Sequence, residues 1–383
     1  MSSRKSDERS TTRTPAAPSF AASGADVIVV RSTKLPAKVL EAGKKLKLIV
    51  RAGSGVDNID VAAASRLGIL VTNCPGMNAA AVAELTLGLM IALDRRIADN
   101  VIDLRAHKWN KKEYSKHALG LKGRTLGIIG AGKIGSEVAR RASAFDMNVL
   151  YFHMGHTRKL VDFPNCRRAE VDELLRNSDF VTVHVPGGSG TSRLLDAERI
   201  AMMKPGACLI NTSRGDVVDE DALIVALREK RIRAAGVDVY AKEPPADGTT
   251  IDSPMCDLSN VYGTHHIGAS TEQAQMAVAE ETVRIVASYR ATGKAPNCIN
   301  LQQRTSADWL LIVRMSNKPG SLAHILNHLA EVGVNVEEMD HVIYDGGRAA
   351  CAHIHIDKSP GDEALARMRS HDCILGLEMA PVE

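Results

Sequence analysis

From Val27 onward the chain places short apolar runs between longer amphipathic stretches. VIVV at 27–30, KLIV at 47–50 and ILVTN at 69–73 are too short for helices and rich in β-branched residues, so they are expected as strands. Strands that alternate with helical patterns predict βα units on a parallel sheet. Val82, Leu85, Leu89, Leu93, Ile97, Val101 and Leu104 then recur every three or four residues. That spacing predicts one long helix from about Asn78 to His107 with a single apolar stripe.

A basic, loop-like stretch from Trp109 to Lys122 precedes a second series: TLGIIG (125–130), NVLYF (148–152), FVTVHV (180–185), ACLINTS (207–213), GVDVY (236–240) and NVYGT (260–264). Six short strands with intervening helices describe a doubly wound domain. A helix over about Thr271 to Thr292 leads to a linker around Gly293–Ser306. The remaining residues change rhythm to strand (309–316), helix (320–332), strand (334–344), strand (348–356), helix (361–370) and strand (375–382). That order, βαββαβ, is ferredoxin-like.

Composition narrows the class. The length of 383 residues is enough for two or three domains, and 45% hydrophobic with 24% charged residues is the balance of an ordinary globular protein. Aromatic residues make up only 3% and the formal net charge is +3, which argues against base stacking and against a phosphate-backbone interface, so no nucleic acid is expected. No apolar run approaches a membrane span, because Leu85–Leu93 is closed by Glu84 and Asp94. The seven cysteines are widely spaced and form no C-x-x-C, so neither a disulfide framework nor a zinc site is expected; a reducing, cytoplasmic setting fits. Residues 1–24 have no apolar core of a signal peptide and are expected as a disordered tail.

The first chemical constellation is Gly130-Ala131-Gly132-Lys133-Ile134-Gly135, which closes a strand and opens an apolar-striped helix. In that context the glycines serve a tight turn, close approach of a pyrophosphate and helix-to-sheet packing, so a bound dinucleotide is expected. The acidic residue that would hold the ribose hydroxyls of NAD is absent, because the second strand ends Tyr151-Phe152-His153. His156, Arg158 and Lys159 follow and would suit the 2′-phosphate of NADP; NAD with plain surface charges there is the equal alternative.

The second constellation is Arg214, Glu243 and His266, each just beyond a later strand, where a doubly wound sheet places its ligands. A guanidinium grips a carboxylate through parallel hydrogen bonds, a histidine exchanges a proton near neutral pH, and a carboxylate beside it raises its pKa.

The phrases RAGSGVDNID (51–60), NCPGMNAAAVAELTLGLM (73–90), LGIIGAGKIG (126–135), MKPGACLINTSRGDVVDE (203–220), GVDVYAKEP (236–244) and HHIGAST (265–271) resemble signature segments of the D-isomer-specific 2-hydroxyacid dehydrogenases. The resemblance implies an α/β fold of two doubly wound parallel-sheet (Rossmann-like) domains, one of them discontinuous, plus a carboxyl-terminal ferredoxin-like domain of the ACT type. The implied divisions are a substrate-binding domain at 25–104 and 273–303, a dinucleotide-binding domain at 105–272 and the ACT domain at 307–383. The two long helices become the hinge between the first two. Arg214 is then expected on the substrate carboxylate, His266 as acid/base and Glu243 as its partner; His265 stands where the family usually has proline. Asp238 is expected at the nicotinamide carboxamide, with Pro186, Thr212, Ser213 and Ala269 lining the cofactor site. Arg31, Arg51, Ser54, Gly55 and Asn78 match substrate-facing positions, and Lys111 resembles a basic residue that reaches a neighbouring subunit's phosphate.

Arg31 and Arg51 add positive charge suited to a phosphorylated 2-hydroxy acid. With the ACT module, they imply the oxidation of 3-phosphoglycerate to 3-phosphohydroxypyruvate, the first step of serine biosynthesis. A glyoxylate or hydroxypyruvate reductase is the alternative, and a catalytically silent dinucleotide sensor the alternative of another class. Asn317 and Asn335 match effector-binding positions for an amino acid, although Met315 replaces the histidine expected there. A homodimer or homotetramer is implied. The family's usual first strand and helix find no counterpart in residues 1–24.

Overall fold

The structure, a computed structural model, describes residues 24–154, 165–245, 248–302 and 305–382. The expected amino-terminal tail and the basic loop of His156, Arg158 and Lys159 fall outside these residues.

The chain divides into a unit ending at Asn300 and a second unit from Leu301. The first three apolar runs form β1 (Val27–Val30), β2 (Leu48–Arg51) and β3 (Leu70–Asn73), parallel and side by side in that order. The crossovers carry α1 (Ala37–Ala42) and α2 (Val61–Arg66), whose Leu40, Ala63 and Ala64 close over Ile49 and Val71.

The single helix expected from Asn78 to His107 is two helices, α3 (Ala79–Arg95) and α4 (Ile97–Arg105). Between them Arg96 takes a left-handed φ of 51°, which ends the first hydrogen-bonded run. Its guanidinium donates to Asp99 and Glu113 and lies over the Tyr114 ring. The stripe also divides: α3 buries Leu89 and Leu93, whereas no residue of α4 is buried. A short α5 (Lys111–Ser115) follows.

The second sheet comprises β4 (Thr125–Ile129), β5 (Asn148–Phe152), β6 (Cys166–Arg168), β7 (Phe180–Val183), β8 (Cys208–Asn211), β9 (Ala234–Val237) and β10 (Val261–Gly263). All seven are parallel, in the order β10-β9-β8-β7-β4-β5-β6. Strand β6 was not expected, since Cys-Arg-Arg carries no apolar run; its pairing with β5 alone makes it a strand. Connecting helices are α6 (Lys133–Ala144), α7 (Val171–Asn177), α8 (Ala197–Met202) and α9 (Glu220–Arg228). Alternate strand residues face opposite layers. Leu126 and Ile128 join Leu89 and Val138 in one core, while Ile129 and Val181 join Leu174, Ile200 and Leu223 in the other. The reversal of strand order, between β4 and β7, is the switch point at which such sheets bind ligands.

Helix α10 (Glu272–Thr292) starts at Thr271, whose hydroxyl accepts from the Ala274 amide, and stops at Gly293 with φ 71°. Its Ile285 is fully buried against Leu48 and Val50, covering the other face of the small sheet. The chain then returns to β3, where the Val71 amide donates to Asn300 Oδ1 at 2.8 Å.

In the second unit β11 (Trp309–Ser316), α11 (Ser321–Glu331), β12 (Val336–Ile343), β13 (Ala349–Ile356), α12 (Asp362–Arg369) and β14 (Ile374–Pro381) follow the expected βαββαβ order. The sheet is antiparallel, ordered β12-β13-β11-β14. Leu311, Val313 and Met315 alternate onto the face that packs on Ile325, Leu329 and Met368. No helix among the described residues is long and apolar enough to cross a membrane.

Candidate active site

The β4–α6 turn has the geometry that a dinucleotide requires. Gly130 has φ 102°, and a Cβ there would lie 2.6 Å from the His184 carbonyl oxygen; a Cβ on Gly135 would collide with the Gly130 carbonyl. Both positions are demanded by the chain's own packing. A Cβ on Gly132, by contrast, would meet nothing within 4 Å. Gly132 also starts α6 with no side-chain cap, so the first amides of the helix remain free for an anion, and a pyrophosphate fits here. Ile134 packs into the core beneath. The Lys133 side chain turns to the other lobe: its Nζ donates to the Pro75 carbonyl at 2.8 Å, tying the turn to the small-sheet lobe, while its amide stays in the first turn of α6.

At the end of β5, the His153 carbonyl accepts from the exposed Arg168 guanidinium at 3.3 Å. Sequence reasoning missed Arg168 because the strand that brings it there has no apolar pattern. Further along the rim, the Pro186 carbonyl accepts from Thr191. Thr212 Oγ1 lies 3.0 Å from Thr86 Oγ1, and the Ser213 hydroxyl donates to Asn211 Oδ1. Asp238, 1% exposed, accepts from Thr264 Oγ1 and from the amides of Ile267 and Gly268. Its visible work is thus to pin the loop that carries His266.

His266 Nδ1 lies 2.8 Å from Glu243 Oε2. The hydrogen bond that His266 donates to Glu243 raises the imidazole pKa above its ordinary value, against the opposing effect of burial. Glu243 shifts down: burial opposes this, but the hydrogen bond and charge of His266 prevail. The pairing commits Nδ1 and leaves Nε2 for a substrate proton. His266 also holds φ at 52°, a strained value for a non-glycine residue that the Asp238 bonds on its neighbours maintain.

A cavity of about 440 Å³ beside His266 is lined by Arg31, Arg51, Asn78 and Ala269, among others. Asn78 Oδ1 accepts from Ser54 Oγ at 2.7 Å, which fixes that wall. Arg51 Nε is buried and has no hydrogen-bond partner among the described residues. Burial, and then the nearby charge of Arg214, lower the Arg51 pKa. Such a group calls for an anion. Arg214 donates from Nε and Nη2 to Asp57 Oδ2 at 3.0 and 2.9 Å. A Cβ on Gly55 would collide with its guanidinium, so that glycine clears space for the arginine. Asp57 was not singled out from the sequence, where the motif R-A-G-S-G-V-D-N-I-D contained it without indicating its partner. A second cavity of about 490 Å³, lined by Tyr240, Cys256 and His265, adjoins His266 and Glu243.

Lys111 is not brought to this cleft within one chain; it lines a separate hollow with Trp109 and Tyr114. In the second unit Asn317 borders a cavity of about 240 Å³ with His341 and Ser321, whose buried hydroxyl has no partner among the described residues. Asn335 does not reach that cavity; its side chain donates to Glu337.

Together the doubly wound sheet, the open helix terminus at its switch point and the imidazole–carboxylate pair define a dinucleotide-binding protein with an acid/base site. Residues 87–268 match the D-isomer specific 2-hydroxyacid dehydrogenase, NAD binding domain. A hydroxypyruvate reductase of Thermotoga maritima is 45% identical over 67% of this chain and 82% of its own. The chain belongs to the D-isomer specific 2-hydroxyacid dehydrogenase family. A D-3-phosphoglycerate dehydrogenase of Methanocaldococcus jannaschii is 39% identical over 84% of this chain, and the match spans only 60% of that relative. The D-lactate dehydrogenase of Aquifex aeolicus, solved with NAD and lactic acid, superposes with a TM-score of 0.66 at 33% identity, covering 72% of this chain and 86% of that one.

Proposed function

We propose that the chain oxidises 3-phosphoglycerate at C2 to 3-phosphohydroxypyruvate, the opening reaction of serine biosynthesis, with the residue roles expected from the sequence. The observation that carries the substrate class is the cavity beside His266 where Arg31 and Arg51 converge, with Arg51 Nε buried and unpartnered. A monocarboxylate needs one guanidinium, here Arg214; two further arginines suit a phosphate. The relative from Methanocaldococcus jannaschii points the same way.

In this reading Arg214 grips the substrate carboxylate and His266 Nε2 takes the C2 hydroxyl proton. Glu243 orients the imidazole and stabilises its cationic form. Gly130, Gly132 and the first turn of α6 hold the pyrophosphate, while Thr212, Pro186 and Asp238 border the nicotinamide end. The bound nicotinamide dinucleotide supplies the hydride acceptor. NAD is the proposed cofactor. NADP competes for the place because β5 is followed by His153, whose carbonyl accepts from Arg168, rather than by an acidic residue.

The exposed apolar face of α4, with Ile102 and Leu104 above half exposed and Trp109 beyond it, supports self-association in a cytoplasmic homo-oligomer. In the second unit the cavity bearing Asn317, His341 and the unpartnered Ser321 hydroxyl is the proposed amino-acid effector site.

The test is nicotinamide reduction by purified protein with 3-phosphoglycerate, in parallel with NAD and NADP, and with D-glycerate in place of the phosphorylated acid. Turnover that depends on the phosphate supports the reading. Equal or better turnover of D-glycerate selects the second reading, a hydroxypyruvate reductase, which the Thermotoga maritima relative favours. Folded protein silent with both acids overturns both.

A further inference from the structure

Arg214 and Asp57 stand 157 residues apart, on the two lobes of the first unit, and meet across the cleft between them. The Asp57 side chain is exposed, but the turn that carries it is anchored. The residue follows β2 in a turn closed by the Ile59 amide on the Val56 carbonyl at 2.9 Å. Its neighbours anchor that turn on three sides: Asn58 Nδ2 donates to the Thr33 carbonyl, Ile59 is buried in the small-lobe core, and Asp60 caps α2 through the Ala63 amide.

The donors of Arg214 can be accounted for one by one. Nε and Nη2 donate to Asp57 Oδ2, and Nη1 donates to the Ser213 carbonyl at 2.7 Å. A guanidinium has five N–H groups. Three are committed among the described residues, and with the Ser213 carbonyl on the outer hydrogen of Nη1 the end of the fork, one N–H on Nη2 and one on Nη1, is left to meet a carboxylate's two oxygens. Gly55 and Gly187 flank the side chain, and a Cβ on Gly187 would lie 3.1 Å from Arg214 Cγ, so no bulk interferes on either side. Arg51 is close enough for its charge to oppose that of Arg214. Without an anion at position 57, a long arginine side chain beside another arginine would have every reason to turn away.

We infer that Asp57 is a positioning residue. It fixes the Arg214 guanidinium so that the two uncommitted N–H groups receive the substrate carboxylate and align C2 with His266. The inference rests on the proposed oxidation, and Asp57 itself does not touch substrate. Because alignment matters most as the hydride and proton move, its loss should appear in kcat more than in KM.

The experiment compares wild type, Asp57→Ala, Asp57→Ser and Asp57→Asn in two assays: steady-state oxidation of 3-phosphoglycerate, and calorimetric binding of oxalate in the presence of NADH. Asp57→Ala is expected to lower kcat by about tenfold or more and to weaken oxalate. Asp57→Asn, whose amide oxygen accepts the same two bonds, should restore most of both, and NADH affinity should not change. Asp57→Ser carries the comparison if the alanine variant does not fold. Unchanged kcat and oxalate affinity in every variant would overturn the inference. So would equal damage from alanine and asparagine, or a gain in efficiency on removing the charge, which would make Asp57 a competitor of substrate. Wild type that neither turns over the phosphorylated acid nor binds oxalate brings down the proposed function, and this inference with it. Wild type competent in both, with indifferent variants, brings down the inference alone.

Discussion

The two parallel sheets of the first unit follow the same βα grammar and do different work. The seven-stranded sheet is covered on both faces, and β7, β8 and β9 are buried at every position. The three-stranded sheet is thinner; β1 lies at its edge and Val29 is 51% exposed. The larger lobe carries the pair proposed for proton chemistry, Glu243 and His266, on loops pinned by buried bonds such as those of Asp238. The smaller lobe supplies Arg31 and Arg51, and it leaves Arg51 Nε unpaired. Proton transfer needs fixed geometry, which a thick core provides. Recognition of an anion needs charge held in reserve, which a short strand end can offer.

That contrast is most easily broken at His266. Substitution by asparagine in the larger lobe should cost about 10²–10⁴-fold in kcat with cofactor affinity intact, measured by single-turnover kinetics and NADH titration. If cofactor binding falls equally, the division of labour is wrong. In the smaller lobe, Arg51→Gln should act on KM for 3-phosphoglycerate, by roughly 10- to 100-fold from the loss of about 1.5–3 kcal/mol of charge-assisted bonding, with kcat little changed. An effect of the same size on D-glycerate would remove phosphate from its role.

Glu243→Gln sharpens the larger lobe's side of the comparison through pH. In the proposed oxidation His266 acts as the neutral base, and Glu243 raises the imidazole pKa, so wild-type kcat/KM should climb with pH along a limb displaced upward from the ordinary imidazole value. The glutamine variant should move that limb to lower pH. Linkage has matching signs: the raised His266 contributes stability that is lost as pH rises through its folded value. The lowered Glu243 contributes stability that is lost as pH falls through its own. The smallest effect is expected from Thr86→Val, which removes a buried hydroxyl bonded to the Val82 carbonyl and paired with Thr212. About 1 kcal/mol of stability, read by denaturant titration, and a modest loss of cofactor affinity should follow.

Most strands were legible in the sequence, because short apolar runs such as FVTV, alternating with helical patterns, suit strands buried on both faces of a covered parallel sheet. The glycine turn was legible for the same local reason, since its demands are steric and fall within six residues. The break at Arg96 was not: the apolar spacing runs straight through it, and the left-handed residue that interrupts the helix is an arginine with partners at Asp99 and Glu113. Strand β6 escaped because its only qualification is a neighbour. The bond from the Lys133 side chain to the Pro75 carbonyl was not legible either, because it depends on the proximity of the two lobes.

The sequence by itself determined the βα alternation, the βαββαβ order of the second unit and the glycine turn at a helix start, and it singled out Arg214, Glu243 and His266 by residue type and place. Each of these depends on periodicity or on residue type at a short spacing. Only the tertiary structure decided that Asp57 is the partner of Arg214, that Arg51 keeps an empty buried donor, and that Asp238 staples the His266 loop. Those are pairings between distant segments. Charge and hydrogen-bonding capacity are written in a residue's identity, but which complementary group comes within 3 Å of it is settled by how the sheets and their connections pack.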